Sequence, residues 1–460
     1  MSRPRVLMLT HRVPWPPDRG DRVRSWHVLR EMSGWAEVWL ASVDREGEYS
    51  AEAREVLEGA GGVCERVHVE GVSGGWQRGR AAVRGALGLW KGSATAGVLR
   101  EPGLVRVVRG WLEEARFDWV YVFCSGMWGV VAQGVGDRVW GVGEQDALPK
   151  LWVDLVDVDS AKWRGLASWL PWWHPQQWLY AIESARIEQV EREIWAYVRG
   201  NPRGIWSEVK APPADGPVIG GTVSVISVDE LRRLVRVLRP GGAAFGRALR
   251  EGKLGSHTLG WGRVLVMGNG VDVKARPALA DAGSKTVVFV GVLDYGPNVE
   301  AVRWLAERVW PRVLAEEPGA VLRVVGRSPG KDVERLGLLP GVEIIGPVED
   351  VVEGAYRGAV AASAPLRVAP GVQNKVLEAM ACGRAVVCSS AAAAGIEAAP
   401  GRELLVADDE AEHAAVLVRL MRDAGWRLEI AAAGRARVER SYGWSARLAV
   451  LREVMGGGSV

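Results

Sequence analysis

Several common chemistries are missing from this 460-residue chain. It has only four cysteines, Cys64, Cys124, Cys382 and Cys388, with no CxxC pair, and its six histidines are scattered. A zinc site is therefore not expected, and the thiols read as reduced and buried. No G-x-G-x-x-G follows an expected strand and no G-K-[ST] closes a loop, which argues against a nicotinamide enzyme and a P-loop enzyme. The longest apolar stretch, "WVYVFCSGMWGVVAQGV" (119–135), is broken by Ser125 and Gly126 and is too short to span a bilayer. A secretory signal is not expected either, because "RVLMLTH" (5–11) already reads as a strand with polar residues at its end. A formal charge of +3 is small for this length and does not suggest nucleic acid. The expected setting is cytoplasmic. The 23 tryptophans, 58 glycines and the preference for Arg over Lys read as genome composition rather than as a stacking surface.

What is present is alternation. "RVLMLTH" precedes a helix expected from about Asp21 to Met32, followed by "AEVWLASV" (36–43), "CERVHVE" (64–70), a helix around Trp111 to Ala115, and "DWVYVFCS" (118–125). A second series begins near residue 285: "TVVFVGVL" (286–293), "VLRVVGR" (321–327), "VEIIG" (342–346), "AVAASAPL" (359–366), "AVVCSS" (385–390) and "ELLVA" (403–407). Helical patterns fall between these strands, at 298–316, 349–357 and 374–382. Such alternation predicts parallel sheets covered by helices, and six strands in the second series fit one doubly wound domain. Residues 151–272 read as irregular, apart from a charged helix at about 177–198 and a strand "TVSVIS" (222–227), with Gly/Pro-rich insertions near 196–221 and 237–262. The expected division is 1–272, then 273–440 after the linker "VKARPALADAGSK" (273–285), then a last helix, 441–460, returning to the first domain. Two such domains imply a cleft enzyme with ligands at the strands' carboxyl ends.

The stretch richest in chemistry is "GVQNKVLEAMACGRAVVCSS" (371–390). Asn374 reads as the N-cap of a helix; Asn374 and Glu378 at i,i+4, with Lys375 and Glu378 at i,i+3, share one side, opposite Val376, Leu377, Met380 and Ala381. Free N–H groups at 372–375, the helix dipole and Lys375 suit a phosphate, and Glu378 could accept from two ribose hydroxyls. The same residues could equally serve as a cap and an exposed ion pair of an ordinary helix. At the other end of the chain, a Pro-Pro turn followed by Gly20 and Asp21 could bring N–H groups to an anion, or be an ordinary turn capped by Asp21. "DVDS" (157–160) could mimic a metal loop but lacks a completing ligand set.

These pieces carry a resemblance. "GVQNKVLEAMACGRAVV" resembles the donor-binding signature of family 4-type glycosyltransferases of the GT-B fold, and "VMGNGVD" (266–272) resembles the segment those enzymes place before the second domain. "TVVFVGVLDYGPNVEAVRWL" and "GVEIIGPVEDVVEGAY" (341–356) are similar to two further units of their donor domain. "LTHRVPWPPDRGDRVRSWHVLREM" (9–32) and "DLVDVDSAKW" (154–163) resemble a subgroup associated with exopolysaccharide and PEP-CTERM systems.

The resemblance implies an α/β GT-B fold, two Rossmann-like domains facing across a cleft, and retaining sugar transfer from a nucleotide-sugar donor to a glycan or lipid-linked hydroxyl acceptor, with no metal or other cofactor. It implies that Glu378 binds the donor ribose and that Gly371, Gln373, Asn374 and Lys375 cradle the diphosphate and sugar. Gly326 and Arg327 would border the base, with Asn298 in the loop after the first donor-domain strand. Gly20, Asp21 and Arg24 would approach the acceptor or the phosphates, and Lys375 and Asp21 are the candidates for chemistry. The chain departs from the pattern at Pro370, where many relatives have a glutamate, and in "LDYGPN" (293–298), which lacks their basic residue. Lys375, Arg327 or Arg367 would have to supply that charge. The rival readings are a nucleotide-sugar-binding scaffold without activity and a non-hydrolysing sugar-nucleotide epimerase, for which His11 and Asp21 are the few acid–base candidates. Finally, 76–109 holds six arginines and one lysine against one glutamate, with Trp76, Leu87, Leu89 and Trp90 interleaved; it could rest peripherally on anionic lipid or be a solvated helix face.

Overall fold

The computed structural model describes residues 3–72, 75–91, 93–134, 149–156, 158–198, 221–225, 234, 257–259, 262–281, 283–369 and 371–456. They form two compact units, residues 1–267 with 448–460 and residues 268–447. The Asn269–Asp272 segment thus counts with the second unit and the end of the last helix, Trp444–Met455, with the first.

The first unit holds a sheet of eight strands: β1 (Arg5–Thr10), β2 (Glu37–Asp44), β3 (Arg66–Gly71), β4 (Trp119–Phe123), β5 (Lys150–Val156), β6 (Gly221–Val225), β7 (His257–Leu259) and β8 (Gly262–Val266). Their order is β3-β2-β1-β4-β5-β6-β8-β7, with only the β7–β8 pair antiparallel. β1 registers Leu7 against Trp39 on one side and Val120 on the other. Val6, Leu7, Met8 and Leu9 are all fully buried, which is why β1 reads as an unbroken apolar run rather than an alternation.

The expectation that 151–272 is irregular is corrected here. This region supplies β5 to β8 and a hairpin of two helices, Asp159–Trp169 and Pro175–Val198. "KLWVDLV" does not read as a strand because its polar Asp154 interrupts the apolar run, yet Asp154 is wholly buried, paired with Arg24. "DVDS" is no acidic loop where it is described: Asp159 opens a helix and Ser160 donates to the buried Glu191. Asp157, Pro370 and most of the insertions near 196–221 and 237–262 lie outside the described residues.

The second unit holds six parallel strands: β9 (Thr286–Val290), β10 (Val321–Val325), β11 (Val342–Gly346), β12 (Ala361–Ala364), β13 (Ala385–Cys388) and β14 (Leu405–Val406). Their order, β11-β10-β9-β12-β13-β14, is that of the doubly wound dinucleotide-binding sheet. All six lie within the six expected runs; all but β11 are shortened at the carboxyl end, where the chain leaves the sheet as loops, and β12 and β14 also at the amino end. Both sheets reverse direction of growth beside their first strand, between β1 and β4 and between β9 and β12. In open sheets of this kind, ligands bind beyond the carboxyl ends of the strands at that reversal. Among the described residues no helix is long and apolar enough to cross a membrane.

Candidate functional site

In the second unit, the loop after β9 runs 291–295 into the helix Gly296–Trp304, with Pro297 in its first turn. This loop is held against the one after β10: Gly291 N–H donates to Val325 O (3.0 Å) and Leu293 N–H to Arg327 O (2.9 Å). A Cβ at Gly326 would sit 1.7 Å from the Gly291 carbonyl oxygen, so only glycine permits this approach. Arg327 is therefore fixed by its backbone at the edge of the same loop.

Asn298, buried in the first turn of its helix, uses both ends of its amide. Its Nδ2 donates to Val292 O (2.9 Å) and its Oδ1 accepts from Lys375 Nζ (2.6 Å). Lys375 comes from the first turn of the helix Asn374–Ala381, and its ammonium also lies 4.6 Å from the centre of the Phe289 ring at the end of β9. Residues 77 positions apart in the chain are thus joined at the reversal point between β9 and β12.

Burial pulls the Lys375 pKa down to about 7, with the Glu378 charge opposing only in part. Burial likewise raises Glu378, while Arg276 holds it down: Arg276 Nη2 donates to Glu378 Oε1 at 3.2 Å. Both charges sit where desolvation outweighs their nearest partners, a pattern frequent at functional sites.

Asn374 is not the N-cap the sequence suggests. Gln373 occupies the cap position with extended backbone and no capping side chain, so the helix begins at Asn374. The Asn374 side chain instead accepts from Asn269 Nδ2 (3.1 Å). Gly371 adopts φ +68°, a conformation that favours glycine, and Gly395 packs so closely that a Cβ there would lie 2.0 Å from the Gly371 oxygen. The helix stops at Cys382 and Gly383 (φ +66°), with Gly383 N–H bonded to Met380 O, which accounts for "ACG" as a stop signal.

Arg276 was not foreseen. It lies in the linker, where no periodicity marks it, and the "NGVD" segment sets its position. Asp272 accepts from the backbone of Lys274 and Ala275 (3.1 Å each), Arg435 Nη1 holds the Arg276 carbonyl (2.9 Å), and Gly270 lies against Trp444, whose ring would meet a Cβ there at 2.7 Å.

In the first unit the corresponding position carries a different set. His11 follows β1, stacks on Phe123 at the end of β4 (5.6 Å between ring centres), and bonds Asp21 Oδ2 through Nε2 (3.2 Å). Arg12 Nε approaches the same oxygen (3.1 Å) and Arg19 Nε the other (3.7 Å), while Arg12 and Arg19 both reach Glu46. Burial alone would lower the His11 pKa, but the neighbouring Cys124 and Asp21 overcome it and raise it to about 9. Burial would raise Asp21, yet His11, Arg19 and Arg12 hold it well below the usual carboxylate range. In this structure the Asp21 carboxylate is engaged by His11, Arg12 and Arg19, and with Cys124 it favours the charged form of His11.

The helix Gly20–Ser33 begins at Gly20 with Arg19 at the cap position and no side-chain cap, so Asp21 is not a capping residue either. Arg24 is also corrected. It is fully buried beneath the sheet, bidentate on Asp154 (2.8 and 3.0 Å) and bonded to Met267 O (2.8 Å), with Tyr121 and Ser224 hydroxyls completing the carboxylate. That is a core network, unavailable to a ligand.

Arg367 forms an exposed ion pair with Glu300 (3.4 Å). Two concavities lie within the units elsewhere. One is lined by Pro400, Leu405, Arg419 and Trp426, the other by Arg5, Glu37 and Cys64 at the amino ends of the first sheet. The latter is on the wrong edge for a doubly wound sheet. Among the described residues no group of three or more His, Cys, Asp or Glu could hold a metal ion.

Residues 284–423 match the family model described as Glycosyl transferases group 1, a span that takes in β9 to β14 and nearly all the second-unit cluster. A curated Klebsiella pneumoniae protein, described as an uncharacterized 44.6 kDa protein in a cps region, is 25% identical over 169 residues, 35% of this chain and 44% of its own length. The chain thus spans less than half the length of that relative. Sucrose-phosphate synthase from Thermosynechococcus elongatus shares the structure with a TM-score of 0.65 at 14% identity, covering 98% of each chain. Anabaena HepE, solved with UDP and glucose, does so with a TM-score of 0.58 at 13% identity, covering 98% of this chain and 99% of its own. Two parallel-sheet, Rossmann-like α/β domains in this order are the GT-B fold, and the chain has that fold.

Proposed function

We propose that the protein transfers a sugar from a nucleotide-sugar donor to a hydroxyl acceptor, with the donor held by the second unit. The observation that carries this is Lys375 bonded to Asn298 at the reversal of the second sheet, inside the span matched by the glycosyl transferase group 1 model. HepE, which shares the fold, was solved with UDP-glucose, and Staphylococcus aureus TarM with UDP.

In this reading the donor diphosphate lies over the N-terminus of the helix Asn374–Ala381, with Gly371 and Gln373 giving backbone approach. Lys375, only about half-protonated near pH 7 when the site is empty, completes its protonation as the phosphates arrive. Glu378, held in place by Arg276, accepts from the ribose. Gly326 and Arg327 border the base. The bond between the anomeric carbon and the phosphate oxygen breaks with its electron pair leaving on the diphosphate. The acceptor oxygen bonds to that carbon and its proton passes to the departing phosphate. Lys375 stabilises the charge developing on the leaving group, the position left without a basic residue in the loop after β9.

Retention of configuration, a hexosyl donor and independence of metal belong to the same proposal, since Lys375 supplies the charge a metal would otherwise bring. Gly20 and the charged His11 of the first unit are assigned to the acceptor, a glycan or lipid-linked hydroxyl. The Klebsiella relative from a cps region favours polysaccharide assembly as the setting.

The test is thermal shift with UDP, GDP, ADP, CDP and dTDP, beside a Glu378→Ala variant. A ligand bound to the folded state alone stabilises by about 2.7 kcal/mol at a hundredfold excess over Kd. One nucleotide should shift the wild type and lose its effect in the variant. Turnover assays with that nucleotide's sugar conjugates then separate an enzyme from a binding scaffold, and equal turnover in EDTA would support metal independence.

A further inference from the structure

The hairpin of helices Asp159–Trp169 and Pro175–Val198 in the first unit ends in an apolar tip that the described residues leave exposed. Trp172 is 72% exposed, Trp173 68%, Trp178 58%, Leu179 51% and Ile182 45%. These five lie within eleven residues, whereas only four other large hydrophobic side chains among the described residues, Val83, Leu338, Ile345 and Leu428, are exposed to this degree. Scattered apolar residues on a surface need no explanation, but a contiguous group marks a contact site.

The tip is built rather than loose. Trp178 Nε1 donates to Trp172 O across the turn (2.8 Å), and Trp172 and Trp173 meet edge to face at 5.8 Å. One residue beyond Ile182 the exposure ends: Glu183 is buried and accepts from Ser93 Oγ, Ala94 N–H and Thr95 N–H (2.7–2.9 Å), locking the base of the hairpin to the helix Ala94–Leu99.

Charge decides what covers it. From Ser160 to Ile182 there is no Asp or Glu, while Lys162 and Arg164 are present. The helix Gly75–Lys91, which packs against Pro175–Val198, also lacks any acidic residue and exposes Arg78, Arg80 and Val83. The exposed tryptophan tip and the basic helix, both in the first unit, are complementary to an interface that is apolar inside and negative at its face.

We propose that this tip, with Arg78 and Arg80, docks the protein on an anionic lipid bilayer, the indoles lying at headgroup depth. This goes beyond the sugar-transfer reading and does not depend on it. It also moves the apolar part of the contact expected for 76–109 onto a separate hairpin; the side chains of Trp76, Leu87, Leu89 and Trp90 lie outside the described residues.

The experiment is flotation of the full chain with phosphatidylcholine vesicles with and without phosphatidylglycerol, at low and high salt. The variants are Trp172→Ser/Trp173→Ser/Trp178→Ser and Arg78→Glu/Arg80→Glu, all surface changes whose folding is checked by circular dichroism. The expected result is flotation of the wild type with phosphatidylglycerol vesicles only, weakened by salt, with partitioning reduced about tenfold or more in each variant. The proposal is overturned if the wild type stays with the unbound fraction, or if the triple tryptophan variant floats like the wild type. A wild-type dimer that the triple variant turns into a monomer, with no flotation of either, would overturn it in favour of a self-interface.

Discussion

The two sheets reverse at equivalent places, yet the charges gathered there are managed in opposite ways. In the first unit the charges described at the carboxyl ends of β1 and β4 are paired within the unit: Asp21 with His11, Arg12 and Arg19, Glu46 with the same two arginines, Arg24 with Asp154. Neighbouring groups favour the charged forms, with His11 raised and Asp21 lowered. In the second unit Lys375 has a neutral amide, a ring and only the partly offsetting charge of Glu378 for company, and burial lowers its pKa to about 7. A group half-charged at neutral pH responds most strongly to an arriving diphosphate. In the proposed reading, the second unit is where an anion changes the site, and the first is a preset surface.

The contrast can be broken most severely at its structural end. Arg24→Met leaves Asp154 buried without its partner, which costs about 3–5 kcal/mol, so chemical denaturation should show a large loss of stability while Asp154→Asn loses a similar amount. If both were near neutral, Arg24 would not be a core residue, and its assignment to a ligand loop would return.

Next comes Lys375→Met, expected to lower turnover about 10²–10³-fold, because the leaving diphosphate then lacks its cation. The same lysine predicts how pH acts. Its free-site pKa of about 7 rises on binding, so nucleotide affinity should fall as pH is raised above 7, by up to about tenfold per unit. Calorimetry in buffers of different ionisation enthalpy would detect the proton taken up. Affinity that does not change between pH 7 and 9 would remove Lys375 from the phosphates.

A smaller effect tests the first unit. A raised histidine pKa contributes stability that is complete below its unfolded value of 6.5 and is lost as pH rises through about 9. His11→Gln should therefore destabilise by about 1–2 kcal/mol at pH 6 and by little at pH 10, read as a gap in Tm that closes with pH. The smallest is Arg367→Ala. Its ion pair with Glu300 is 63% exposed on the arginine side, worth less than about 1 kcal/mol, and turnover should be unchanged. A large loss there would transfer the role of cation from Lys375 to Arg367.

Much of the fold was legible because parallel strands buried on both faces leave long apolar runs, as "TVVFV" and "RVLML" do. The region 151–272 was not, since β5 carries an aspartate whose burial makes sense only with Arg24 and Tyr121 around it. The candidate site divides in the same way. Gly371, Lys375 and Glu378 stand within eight residues and announce themselves. Arg276 and Phe289 do not, because nothing local distinguishes a linker arginine or a strand phenylalanine from any other.

By itself, then, the sequence determined the alternation of strands and helices, the positions where only glycine fits, and the short helix that bears the lysine and glutamate. These follow from backbone sterics and from the period of burial, which act over a few residues. Only the tertiary structure decided which charges meet: that Lys375 bonds Asn298, that Arg276 reaches Glu378, that Asp21 serves His11, and that Arg24 is sealed in the core. Ion pairs and pKa values depend on desolvation and on distances between residues up to 130 positions apart, and no local pattern records them.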